Sequence, residues 1–136
     1  MIAALIYVGS LVALIQFFLY YCRSILASSR QIELSARVRE AAGVQKDGVA
    51  ADDFERFVEL LRLCPGNRAY QADMRAVGSY YGLLDVLGRF SRTAIPALVA
   101  WTDSERQRCS YFAAVALDRR ISSSLELFVQ QANGRL

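Results

Sequence analysis

Between Ile2 and Cys22 the chain reads IAALIYVGSLVALIQFFLYYC, 21 residues without a charge. At about 1.5 Å rise per residue, a helix of this length covers roughly the 30 Å hydrocarbon core of a bilayer. Whatever follows has to fold beside a membrane. A cleaved signal peptide has a positive n-region and an apolar core of about 7 to 15 residues. Here no Lys or Arg precedes the run and the run is longer, so it reads as a retained anchor. The competing signal-peptide reading rests on Ala27-Ser28-Ser29 as small-residue cleavage chemistry. Bulky Tyr20 and Tyr21 before Cys22 speak against a lipobox.

Lys and Arg flanking a span stay preferentially on the cytoplasmic side. Arg23, Arg30, Arg37 and Arg39 all follow the run. The expected topology is a single pass through the plasma (inner) membrane, N-terminus outside, with residues 23–136 cytoplasmic. Tyr20 and Tyr21 suit the aromatic belt at that interface. At helical spacing Gly9, Ala13, Gln16 and Tyr20 share one stripe of the span. Gly9 and Ala13 permit close backbone approach, and the Gln16 amide lacks partners if it faces lipid. The stripe is therefore a candidate interface with another membrane protein or with a second copy.

The 114 residues after Cys22 suffice for one hydrophobic core. The net charge is +3, and the arginines are interleaved with acids, so no basic stripe of the kind nucleic acid requires is visible. Cys22, Cys64 and Cys109 are dispersed and odd in number, which agrees with a reducing compartment. Histidine is absent, which excludes Ser-His-Asp and Cys-His catalysis and His-ligated zinc or haem from this chain acting alone. No metal-ligand spacing or phosphate-binding Gly loop occurs. The expectation is no cofactor, no metal and no catalytic constellation.

Past the anchor, residues 23–51 read as a juxtamembrane helical stalk that continues the span and ends in a loop from Gly43. A bundle domain is expected over residues 52–136. Asp52 with Glu55 resembles a capping box opening an amphipathic helix, with Phe54, Phe57, Val58, Leu61 and Cys64 on its apolar face and Pro65-Gly66-Asn67 as its stop. A third helix, from about Arg68 to Ser91, carries Tyr70, Met74, Val77, Tyr81 and Leu84 as a seam. Tyr80, Leu83, Leu87 and Phe90 form a second row, so this helix is expected to be covered on two sides. Gly78 and Gly82, each costing roughly 1 kcal/mol relative to Ala, point with Asp85 to a face approached closely by a crossing helix or a ligand. Asp85 is expected to pair with Arg89, Arg119 or Arg120.

Pro96 fits the first turn of a short helix over Ala97 to Trp101. Thr102-Asp103-Ser104-Glu105 is a second capping box, predicting a separate last helix to about Ala132 with Cys109, Phe112, Ala113, Ala116, Ile121, Leu125, Phe128 and Val129 inward and Asn133-Gly134 as its stop. No alternating β-branched run of strand length appears. The predicted fold is all-α: one N-terminal transmembrane helix followed by a small cytoplasmic antiparallel helical bundle.

Cys64-Pro65 resembles the Cys-Pro pairs that coordinate haem in some regulatory proteins. A buried Cys ending an amphipathic helix explains the pair equally well. Two functional expectations follow. The first is a non-enzymatic membrane-anchored interaction module, an accessory, scaffolding or regulatory subunit with the bilayer, a membrane protein and a cytoplasmic protein as partners. The second is a membrane-bound small-molecule or haem sensor using a pocket beside Gly78 and Gly82 or the Cys64 thiol.

Overall fold

The computed structural model describes residues 1–29, 34, 39–40, 49–64 and 69–134. Among the described residues four α-helices are delimited in order: α1, Ile2–Ser29; α2, Phe54–Leu63, preceded by a 3-10 turn at Ala51–Asp53; α3, Ala69–Ala94; and α4, Pro96–Asn133. The described residues hold no strand. Most of the expected stalk and loop, and the Pro65-Gly66-Asn67 stop, lie outside them.

With no breaker after the apolar run, α1 continues through Cys22 to Ser29. Its character changes along its length. From Ile2 to Phe17 every residue is exposed. Beyond that, Cys22, Leu26 and Ser29 are buried and Phe18, Leu19 and Ile25 pack against the core. These six recur at helical spacing, and they make one face that rests on α3 and α4.

In α2, Phe54, Phe57 and Leu61 are buried and Val58 and Cys64 are half-buried, as the spacing predicts. Its start differs. Asp52 lies within the 3-10 turn and its carboxylate meets Arg106, while Asp53 accepts from the Ala50 N–H at 3.1 Å. A nearby guanidinium competes for a carboxylate more strongly than a helix-end amide does, so Asp52 is not the cap.

α3 and α4 form an antiparallel hairpin whose corner is Ile95. Its extended backbone (φ −147°, ψ 100°) is the conformation a following proline enforces. The expected break before Thr102 does not exist: α4 is one helix of 38 residues. The Thr102 hydroxyl donates to the Val99 carbonyl at 2.9 Å within the helix, as Thr does when no free helix end competes for it. Val77, Tyr80 and Leu84 of α3 meet Cys109, Ala113 and Leu117 of α4 and Phe57 and Leu61 of α2 in a single core.

Two expectations of burial hold only in part. The α4 stripe is buried from Cys109 to Ala116, but Leu125, Phe128 and Val129 are exposed. The last 13 residues of α4, about 20 Å, extend past the end of α2, and none of the described helices covers Leu125, Phe128 and Val129 there. On α3, Tyr80 is buried whereas Leu83, Leu87 and Phe90 of its second row are exposed. The polar contacts of α1 with α3 fall on the N-terminal half of α3, at Asp73 and Ala76, and the exposed part of the row lies beyond them.

Candidate functional site

The buried carboxylate of Glu105 organises the end of α1 that rests on the bundle. It has 1% of its surface exposed. A carboxylate so placed needs charge and hydrogen bonds to offset lost hydration. The Tyr80 hydroxyl donates to Oε2 at 3.0 Å, Arg108 Nη1 donates to Oε1 at 2.6 Å, and Arg23 of α1 lies 3.8 Å from Oε1. Burial, then the Glu105 charge, push the Tyr80 hydroxyl well above the ordinary tyrosine value, so it stays a donor. Beside this group the Cys22 thiol points at the Ala76 carbonyl (3.8 Å) and the Tyr21 hydroxyl at Asp73 (3.2 Å). Helix α1 is thus tied to the bundle by an ion pair, two polar contacts and an apolar face.

A second cluster surrounds Arg106, which is 13% exposed. Its guanidinium donates to Asp52 at 2.7 Å and to the Tyr81 hydroxyl at 3.0 Å, and reaches Asp85 at 3.7 Å and Asp103 at 3.8 Å. It also sits 5.2 Å from the Tyr81 ring centre, and that ring stacks on Phe54 at 4.4 Å. Burial works against the charge, but Tyr81, Asp52 and Asp85 outweigh it and raise the pKa of Arg106. The Tyr81 hydroxyl and Ser110 both donate to the Ala51 carbonyl, fixing the turn that starts α2. Asp85 does pair with Arg89, at 2.9 Å. Its second cation is Arg106; Arg120 instead caps α2, donating to the carbonyls of Leu61 (2.7 Å) and Cys64 (3.4 Å).

Among the described residues, nothing stands within 4 Å of a Cβ placed on Gly78 or Gly82. The glycine under the helix crossing is Gly88, whose Cβ would stand 3.5 Å from the Thr102 hydroxyl. Gly78 does line an open groove of about 650 Å³ between α2, α3 and α4, with Met74, Val58 and Cys64 on its walls and Arg62, Arg75 and Arg120 around them. Gly82 and Asp85 lie outside that groove. Gly9, Ala13, Gln16 and Tyr20 are all exposed. At 100° per residue their stripe lies roughly 150° around α1 from the docked face of Cys22, Leu26 and Ser29, so the bundle leaves it open.

Of the cysteines, Cys22 and Cys109 are fully buried and Cys64 is half-buried. Burial first, then the Glu105 charge, push the Cys109 thiol up to about 12. Its neighbours Arg106 and Arg108 are engaged by carboxylates and do not activate it. Among the described residues no group of three or more Cys, Asp or Glu side chains is placed to hold a metal ion.

Glu105 was legible as more than a cap. It stands four residues before Cys109 and so extends the apolar stripe of Cys109, Phe112, Ala113 and Ala116; a carboxylate on a core face is the signal of a buried ion pair. Nothing in the local sequence marks Arg23 as its partner.

These features define an all-α protein whose last three helices pack together and whose first, near the start of the chain, is long and apolar enough to cross a membrane. Comparison with protein-family models, with curated proteins and with solved structures finds no match.

Proposed function

We propose that this protein is a membrane-anchored, non-enzymatic interaction module, an accessory, scaffolding or regulatory subunit whose span engages a membrane protein and whose bundle engages a partner on the cytoplasmic side. The observation that carries the reading is the geometry of α1. Its last two turns are held to the bundle through Arg23, Cys22 and Leu26, while Gly9, Ala13, Gln16 and Tyr20 face away and stay open. A partner packed on that stripe would be mechanically coupled to the bundle. The same docking supports retention of α1, since cleavage at Ala27-Ser28-Ser29 would remove Cys22 and Leu26 from the core. The arginine bias after the span supports a cytoplasmic bundle.

The test is a native pull-down from gently solubilised membranes, comparing the whole chain with a Gly9→Ile, Gln16→Leu variant. A stoichiometric membrane partner lost in the variant supports the proposal; a monomer with nothing bound in either form opposes it.

A second reading, a small-molecule or haem sensor, draws on the groove beside Gly78. Its three arginines over an apolar floor suit a ligand with an anionic group, and Cys64 offers a thiol. An absorption spectrum of the purified protein, and its change in Cys64→Ala, decides for or against haem.

A further inference from the structure

The exposed row on α3 is not randomly placed. Ala76, Tyr80, Leu83, Leu87 and Phe90 follow at steps of four, three, four and three, so they share one face. At Ala76 that face receives Cys22 of α1. Further along, where α1 has left the bundle, it opens: Leu83, Val86 and Phe90 are 56%, 60% and 75% exposed, and Leu87 and Ile95 are also exposed.

The directions of the helices decide where this row lies. Arg23 of α1 meets Glu105 of α4, while Ile25, Ser28 and Ser29 share a cavity with Phe112, Val115 and Ala116. α1 and α4 therefore run the same way, and α3 runs against them. Moving up α1 into its apolar run means moving toward Pro96 on α4 and toward Phe90 on α3. From Glu105 back to Pro96 is nine residues, about 14 Å along α4. The α3–α4 corner thus projects from the bundle on the side where Ile2–Phe17 is bare.

The corner is also chemically fit for lipid. No charged residue lies between Arg92 and Asp103. Two of its backbone N–H groups are paired, Ile95 with the Ser91 carbonyl at 2.9 Å and Leu98 with the Ile95 carbonyl at 3.1 Å, and Pro96 has no N–H to satisfy. Trp101, half-buried one turn below, is the residue type enriched at headgroup depth.

We infer that the α3–α4 corner, through Leu83, Val86, Leu87, Phe90 and Ile95, is a second membrane contact that dips into the acyl chains of the leaflet from which α1 emerges. The occupant of the exposed row is lipid, and the bundle lies against the bilayer instead of hanging from a tether. This rests on the reading of α1 as a retained span.

The experiment uses the whole chain in phosphatidylcholine vesicles whose acyl chains carry bromines at defined depths. Each sample has Trp101→Phe and one new tryptophan: F90W at the corner, Y7W in the span, or L63W at the exposed end of α2. The expected result is that F90W and Y7W lose emission to the bromolipids while L63W does not. If Y7W is quenched but F90W stays bright and is reached by aqueous iodide, the corner is overturned and the anchor stands. If neither is quenched, the anchor reading falls and the corner with it. If F90W is shielded from both quenchers, a second copy covers the row and the lipid contact is overturned. A measurement without substitutions uses a lipid with a diazirine in its acyl chain: adducts at residues 83–95 support the corner, and adducts confined to α1 overturn it.

Discussion

Arg23, the first charge after the apolar run, stands 3.8 Å from the carboxylate of Glu105, 82 positions later in the chain and buried to 1% exposure. This pair joins α1 to the bundle, and its energetics are set by asymmetry. The Arg23 side chain is half-exposed and its separation is long, whereas Arg108 bonds the same oxygen at 2.6 Å.

Removing a cation should therefore cost more at Arg108 than at Arg23. We expect Arg108→Ala to destabilise the fold by about 3 kcal/mol, since it strips the closest charge from a buried carboxylate, and Arg23→Ala by about 1 kcal/mol or less. Tyr80→Phe removes one hydrogen bond to Glu105, at about 1–3 kcal/mol. Denaturant melts in detergent measure all three, and equal effects of the two arginine variants would refute the asymmetry.

Stability should fall with rising pH above about 9. The Cys109 thiol has an ordinary value of 9.0 and is raised to about 12 in the fold. Between those values the unfolded chain has released its proton and the folded chain has not, so each step up in pH favours unfolding. Tyr80, raised in the same direction, adds to the loss from its ordinary value of 10.0 upward. Below pH 9 neither group contributes a slope. Melting temperatures at pH 8, 9 and 10 test this, and Cys109→Ala should flatten the early part of the decline.

At the second cluster, geometry outweighs charge. Arg106 uses its planar fork to reach Asp52, Tyr81 and Asp85, and a lysine cannot reproduce that. Arg106→Lys is expected to cost about 1–3 kcal/mol, while Asp52→Asn, at an exposed carboxylate, stays within about 0.5 kcal/mol. Comparable losses for the two would contradict this assignment.

The glycines separate bundle requirements from anything outside the bundle. Gly82→Ala places a methyl in open space and should stabilise α3 by about 1 kcal/mol. Gly88→Leu forces atoms beyond Cβ against Thr102 and should destabilise by about 1–3 kcal/mol. Thermal melts of the two variants should move in opposite directions.

Thiol labelling of the folded protein should follow burial. Cys64, half-buried on the groove wall, is expected to react with a maleimide well before Cys22 and Cys109. Arg120→Met, which frees the carbonyls of Leu61 and Cys64, should speed the Cys64 reaction further. Mass spectrometry of a time course reads both.

Local physical chemistry sufficed for most of the helices, though not for the continuity of α4 through Thr102. The uncharged length of Ile2–Cys22, the face of Phe54, Phe57 and Leu61, the Val77–Tyr81–Leu84 seam and the Gly134 stop each depend on residues within a few turns of one another, and each is legible as periodicity or as a terminator. The capping boxes misled because the same acids can serve a helix end or a distant arginine, and only the fold brings Arg106 to Asp52 or Arg23 to Glu105. Likewise the second row of α3 reads as core in the sequence, but three of its four residues, Leu83, Leu87 and Phe90, are exposed, and only Tyr80 is buried. Helix formation is decided by neighbours in the chain. Which faces are covered, and which charges meet, is decided by where separate helices cross, and that depends on the packing of the whole core.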